Sequence, residues 1–351
     1  MSYDYSEIVP YLLHWYERNA RTLRWREEPK PYYVWVSEIM LQQTRVEAVK
    51  GYFDRFLAEL PDIAALAEAE EEKLLKLWEG LGYYNRVRNM QKAAQLVMRE
   101  HGGELPADYE ALKQLPGIGS YTAGAIASIA FGIPEPSVDG NVLRVLKRVA
   151  ASFDDITKEK VKKELEADVR AVIPKDRPGD FNQSLMELGA TVCLPNGKPL
   201  CEQCPLMHLC KAFRQGCEMQ IPVKPPKKER KVEARTVFVI KKEWGQAMEI
   251  VLHKRPEKGL LSGMWELPNK EGHLTEEEVQ KLFPETEVRR LPDGKHIFSH
   301  VEWRLWCYEV RLAEACLPQK LEKGTKLFSL KEIREQISIP SAFDCCKKYM
   351  E

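Results

Sequence analysis

The feature that most constrains this chain is a change of hydrophobic period at one proline-rich, basic break. The break reads Pro222-Val223-Lys224-Pro225-Pro226-Lys227-Lys228-Glu229-Arg230-Lys231. Before it, apolar residues recur at three- and four-residue spacing, as in Ile8, Leu12, Trp15 and Tyr16, or Leu74, Leu75, Leu77 and Trp78. That period predicts helices with one buried stripe. After it come strand-like runs at 235–240, 249–252 and 303–310, with helical stretches near Glu276–Phe283 and Leu330–Ile337. The reading is a mainly α domain over 1–220, a linker over 221–232 and a smaller α+β domain over 233–351. A chain of 351 residues is long for a single core, so two domains are expected. The linker is stiffened by its prolines. Its lysines are either simply solvated or run beside phosphates.

Charge excludes less than it suggests. Lys+Arg and Asp+Glu are both 53, and a zero total leaves nucleic acid open, because binding depends on where the basic residues sit. No apolar run of transmembrane length appears, so no membrane partner is expected. The start, Met1-Ser2-Tyr3-Asp4-Tyr5, lacks a basic region and an apolar core, so no secretory leader is expected. Of nine cysteines, Cys193, Cys201, Cys204 and Cys210 fall close together. An odd total with one tight cluster points to a metal site in a reducing, cytoplasmic compartment, not to disulfides. Four thiolates in one loop suit a [4Fe–4S] cluster. Tetrahedral zinc competes, although zinc ribbons usually carry two C-x2-C pairs and only one is present.

Three segments carry possible chemistry. Leu115-Pro116-Gly117-Ile118-Gly119-Ser120-Tyr121-Thr122-Ala123-Gly124 joins two helical patterns. Gly117 and Gly119 allow positive φ and close backbone approach, and the following helix start could hold one DNA phosphate. A plain glycine turn fits the same residues. Ala123, Gly124, Ala125, Ala127, Ser128 and Ala130 are small, which predicts a helix lying deep between others. Asp139, in Val138-Asp139-Gly140-Asn141-Val142, would cap the helix through Ala150, and taken alone it is only a cap. Glu38 sits among apolar residues in Val34–Thr44. Burial there would raise its pKa, whereas a lone glutamate is more often on a solvent face.

The segment L-P-G-I-G-S-Y-T-A-G resembles the helix-hairpin-helix signature of the endonuclease III superfamily. The resemblance implies a helical catalytic fold that cleaves N-glycosidic bonds of damaged or mispaired bases. It makes Asp139 the catalytic carboxylate, with Asn141 and Tyr121 ordering its surroundings. Bifunctional members carry a lysine nucleophile at the position occupied here by Tyr121, so lyase chemistry is not implied. The cysteines resemble the superfamily's C-x6-C-x2-C-x5-C loop, with one extra residue between the first two, and imply a [4Fe–4S] cluster.

The run W-V-S-E-I-M-L-Q-Q-T-R-V is similar to the MutY-type adenine glycosylases. That resemblance makes Glu38 the acid that protonates adenine N7. It places Trp25 and Arg26 at the base pocket, and Leu41, Gln43, Thr44, Tyr83 and Arg86 at the DNA. Gly117 and Gly119 take the phosphate. Lys258–Pro268 resembles the start of that family's Nudix-like C-terminal domain, but the R-E-x-x-E-E box of Nudix hydrolases is missing, so recognition is expected there and not hydrolysis. Phe298-Ser299-His300 resembles the loop that contacts 8-oxoguanine, with Ser299 and His300 facing the base; a polar turn between strands is the plainer alternative. The expected protein is therefore a mainly α helix-hairpin-helix glycosylase domain with an iron–sulfur loop, plus an α+β Nudix-like domain. It is expected to act as a monomer on double-stranded DNA containing an A·8-oxoguanine or A·G mismatch. A thymine glycosylase for G·T, a non-catalytic damage-binding module and a Nudix hydrolase are the competing functions.

Overall fold

The computed structural model describes residues 3–226, 229–244, 247–312 and 324–350. Its helices begin with α1 (Ile8–Asn19), α2 (Arg24–Glu27), α3 (Pro31–Leu41), α4 (Val46–Glu59), α5 (Ile63–Glu68) and α6 (Glu71–Leu77). They continue with α7 (Asn85–Glu100), α8 (Tyr109–Gln114), α9 (Ser120–Ala125), α10 (Gly140–Ala150), α11 (Glu159–Val172), α12 (Pro178–Thr191) and α13 (Lys211–Gln215). The C-terminal part adds α14 (Glu276–Leu282), α15 (Leu330–Glu335) and α16 (Asp344–Lys347). Among the described residues no helix is long and apolar enough to cross a membrane.

The chain divides into two compact units, Met1–Glu68 with Asn89–Pro226, and Ala69–Arg88 with Lys227–Glu351. The helical period along the sequence does not reveal that 69–88 groups with the C-terminal residues. Specific bonds explain it. Lys76 donates to the carbonyls of Ile333 and Ile337 at 3.0 and 3.1 Å. Glu79 accepts from the Ile339 N–H at 3.2 Å and pairs with Lys347 at 3.1 Å.

In the first unit α1, α10 and α12 share a core built on Leu12, Val142, Leu146, Phe181, Leu185 and Leu188. Helix α3 buries every residue from Val34 to Met40, as expected of a helix that is apolar all round. The small-residue helix is indeed deep: Ala123, Gly124, Ala125 and Ala127 are buried, and α9 continues as a π-helical turn over Ile126–Ala130. Gly124 is required by close approach, because a Cβ there would lie 1.9 Å from the Pro136 carbonyl oxygen. The linker begins later than its prolines suggest. Ile221 is buried, Arg148 donates to its carbonyl at 2.8 Å, and Val223 pairs with the backbone at 155–156.

The second unit is built on a mixed sheet of β1 (Lys231–Trp244), β2 (Ala247–Lys254), β3 (Trp265–Glu266), β4 (Asn269–Glu271), β5 (Glu287–Ile297), β6 (Val301–Leu312) and β7 (Thr325–Ser329). The order is β3-β2-β1-β6-β5, with β4 paired to β1 and β7 to β2. Strands β1 and β6 run parallel from Lys231↔Val301 to Lys242↔Leu312. Alternation sends Val237 and Val239 to a core closed by Ile333, Phe343 and Cys346, and Phe238 and Ile240 to one closed by Val279.

Candidate active site and thiol cluster

Glu38 lies on α3 and is only 6 % exposed, so the buried alternative holds and the solvent-face one does not. The Tyr121 hydroxyl, on α9, donates to Glu38 Oε2. Burial pushes the Glu38 carboxyl up to about 7; the Tyr121 hydrogen bond opposes this, the charge of Asp139 adds to it and Arg26 lowers it. A carboxyl group poised near neutrality can give a proton and later take one back.

Asp139 is held by three N–H donors. Its Oδ1 accepts from the backbone of Asn141 and Val142, both at 2.8 Å, and its Oδ2 from Asn141 Nδ2 at 2.7 Å. It is the N-cap of α10, and its charge also acts on Glu38, so the cap is not its whole environment. Burial raises its pKa against those hydrogen bonds. The segment leading to it is fixed from below: Ser137 N–H donates to Asn182 at 3.1 Å, and the Ser137 hydroxyl to the Tyr121 carbonyl at 3.0 Å. Fully buried Asn182 also donates to Ser128 and to the Glu135 carbonyl, both at 2.8 Å. Asn141 packs against Gly189, whose Cβ would come within 2.6 Å of it.

The hairpin needs only one of its glycines for its turn. Gly117 has φ +78°, and a Cβ there would lie 2.8 Å from Asn89 Cβ. Gly119 is extended and N-caps α9, with nothing within 4 Å of where its Cβ would be. Gln43 and Tyr83, expected at the DNA, are both non-glycine residues in the left-handed region, at φ +62° and +48°. Such strain persists only where surrounding structure enforces it. Tyr83 is 52 % exposed. Arg86 braces that tip, donating to the Leu81 and Gly82 carbonyls at 2.9 and 3.1 Å, and burial lowers its pKa to about 10. Leu41 and Thr44 are half-buried beside exposed Gln43. Trp25 is buried edge-on against Phe53, and Arg26 pairs with Glu187 at 2.7 Å.

Cys193, Cys201, Cys204 and Cys210 line one cavity together with Val149, Arg148 and Leu206. Arg148 donates to Cys193 Sγ at 3.2 Å. Among the described residues, no three of these four sulfurs lie within 4.8 Å of one another. A single zinc with Zn–S near 2.3 Å would draw its sulfurs to about 3.8 Å apart. In the second unit, Ser299 and His300 are exposed between β5 and β6, with Phe298 turned inward on Trp303 at 4.9 Å.

Residues 36–171 match the family model described as HhH-GPD superfamily base excision DNA repair protein, and 236–348 match the NUDIX domain model. The chain is 36 % identical to an adenine DNA glycosylase from Homo sapiens over 373 residues, covering 88 % of this chain and 68 % of that one. It is 33 % identical to an adenine DNA glycosylase from Buchnera aphidicola subsp. Schizaphis graminum, covering 85 % of each. The chain belongs to the adenine DNA glycosylase family. Its helical part also superposes on a thermostable thymine-DNA glycosylase (TM-score 0.54, 27 % identity, 60 % of this chain and 96 % of that one). A non-covalent endonuclease III–DNA complex gives a TM-score of 0.52 at 26 % identity, with 60 % and 95 % covered. This adenine DNA glycosylase thus acts in base excision repair, on DNA, through an endonuclease III-like fold and a Nudix-like domain.

Sequence reasoning missed two residues of the glycosylase site. Glu187, fully buried on α12, accepts from Arg21 at 2.6 and 2.8 Å as well as from Arg26, and so fixes the cation facing Glu38. Arg144 links the site to the thiol loop, donating to Asn141 Oδ1 at 2.9 Å and to the Cys193 carbonyl at 2.8 Å. The signal available was a charged residue inside a largely apolar helical run, such as Glu187 between Met186 and Leu188.

Proposed function

We propose that the protein is a monofunctional adenine glycosylase for A·8-oxoguanine and A·G pairs. The observation that carries the chemistry is the buried Glu38, bonded to Tyr121 and facing Asp139. Adenine, flipped out of the helix, receives the Glu38 proton at N7, and the N-glycosidic bond breaks. Asp139 stabilises the positive charge that builds on the sugar. Water attacks C1′ and returns its proton to Glu38, leaving an abasic site. Tyr121 offers no amine, so no Schiff base forms and the strand stays intact. Gln43 and Tyr83 fill the gap in the base stack, braced by Arg86, while Gly117 and Gly119 present backbone N–H groups to a phosphate. The helical domain performs catalysis as a monomer, and the C-terminal domain reads the opposite base. Single-turnover release of base from A·8-oxoguanine, A·G and G·T duplexes tests this reading; preferential thymine release would move it to the thymine class.

Recognition of 8-oxoguanine has a simple chemical basis. Oxidation turns N7 from an acceptor into a donor, which exposed Ser299 Oγ can accept. Ser299→Ala should reduce the preference for A·8-oxoguanine over A·G about 3- to 10-fold, the value of one neutral hydrogen bond. Equal loss on both duplexes would remove Ser299 from base reading.

The four thiols would hold a [4Fe–4S] cluster, which stiffens the 193–210 loop. The apolar cavity wall and the Arg148 N–H on Cys193 suit it, and burial pushes Cys204 up to about 12, so a bound cation is needed to keep it a thiolate. Purified protein should contain about four irons per chain and absorb near 400 nm. Stoichiometric zinc in place of iron would sink the assignment.

A further inference from the structure

A second thiol group stands in the C-terminal unit. Cys307 lies on β6, and Cys345 and Cys346 are adjacent on α16. Their sulfurs are 3.9 Å apart for Cys307–Cys345, 3.7 Å for Cys345–Cys346 and 3.0 Å for Cys307–Cys346. None is in a disulfide. Cys307 and Cys346 are buried, and Cys345 is half-buried.

The fold makes room for this arrangement. A Cβ on Gly294 would lie 2.4 Å from Cys345 Sγ, so only glycine leaves space for that sulfur. Gly294 sits at the register shift of β5 against β6, which turns the strand around the group.

We propose that Cys307, Cys345 and Cys346 form a trithiolate site for a soft d10 cation of the Cu(I) class, which clamps α16 to the sheet. Three sulfurs around one ion at a metal–sulfur distance near 2.3 Å stand about 4 Å apart, so the observed triangle needs little opening. Among the described residues the cluster is confined to these three ligands, with no fourth carboxylate, imidazole or thiol in the group. Zinc ordinarily takes four ligands, whereas soft thiolates select Cu(I). Each S–metal bond forms as that thiol releases its proton to solvent. The ion enters as Cu(I), so no electron is transferred.

The test uses the full chain, reduced and kept free of oxygen, titrated with Cu(I) supplied as its acetonitrile complex against bicinchoninate. Wild type should retain one Cu(I) per chain more than a variant with all three cysteines changed to alanine. Its unfolding midpoint should rise on adding Cu(I), and the variant's should not. Because the triple variant could fold poorly, Cys345→Ser gives a second reading: affinity for Cu(I) should fall at least 10-fold. Equal Cu(I) uptake by wild type and both variants overturns the site. Zinc retained with Cu(I) lost to bicinchoninate overturns the ion class. A Cys307–Cys346 disulfide in protein purified in air, with no Cu(I) uptake after reduction, makes the group a redox pair and also overturns the proposal.

Discussion

Glu38→Gln is expected to slow adenine release by about 10²- to 10⁴-fold, the range for removing one general acid. The glutamine keeps the shape and still accepts the Tyr121 hydrogen bond, so the loss isolates the proton. The pH profile gives a separate check. Only protonated Glu38 can act, and burial places its pKa near 7, so the wild-type single-turnover rate should fall as pH rises through about 7. Any residual rate of the variant should lack that alkaline limb. An undiminished rate, or the same alkaline fall in the variant, would refute the assignment.

The same shift predicts that stability also falls as pH rises, a loss the variant escapes. The folded pKa is about 7 against an ordinary 4.5, so the native state binds the extra proton between those values. Stability is therefore full below about 4.5 and declines as pH rises to about 7. The loss is on the order of 3 kcal/mol at pH 8, at 1.36 kcal/mol per pKa unit over the rise from 4.5 to about 7. Glu38→Gln cannot ionise and escapes it. The variant should unfold about 5–10 °C above wild type at pH 8 and at the same temperature near pH 4.5. A catalytic group that weakens the fold when ionised is one that packing did not select.

What could be read from the chain follows from how local each determinant is. Asp139 before an apolar helix announces a cap, and the cap is there. Gly117 announces a turn, and the positive φ is there. The strand-like runs at 235–240 and 303–310 both lie in strands, β1 and β6, while their parallel pairing is not encoded in either run alone. Strand β5 was not legible, because Pro292 and Gly294 interrupt its alternation at the register shift. Whether Glu38 is buried depends on helices far away in sequence, so the residues around it could only leave two alternatives. Arg144 reaches Cys193 at a separation of 49 and Glu187 reaches Arg21 at a separation of 166, and no local pattern encodes those distances. The grouping of 69–88 with the C-terminal unit is likewise set by Lys76 and Glu79 reaching residues 333–347.

Gly124→Ala should damage folding and catalysis together. The new Cβ would lie 1.9 Å from the Pro136 carbonyl oxygen and 2.8 Å from its carbon, both rigid backbone atoms. No rotamer change relieves that overlap, so α9 and the 136–139 segment must separate. Overpacking of this kind costs about 1–3 kcal/mol and sometimes more. The unfolding midpoint should drop by roughly 5 °C or more. The separation also pulls on the Ser137–Tyr121 bond, which ties Asp139's segment to the helix carrying Tyr121. A misplacement near 1 Å between reacting groups costs about 10²-fold in rate. The native fraction of Gly124→Ala should therefore release adenine about 10²-fold more slowly, at pH values where Glu38 is protonated. Gly119→Ala is the control: its Cβ meets nothing within 4 Å and its backbone is extended. That variant should keep the wild-type midpoint and lose only DNA affinity, because its methyl group stands where a phosphate would approach the backbone N–H groups. If Gly124→Ala kept both midpoint and rate, the close approach would not be what holds Asp139 in place, and the position of that carboxylate would have to rest on its own N–H donors from Asn141 and Val142, with Asn182 and Gly189 behind them.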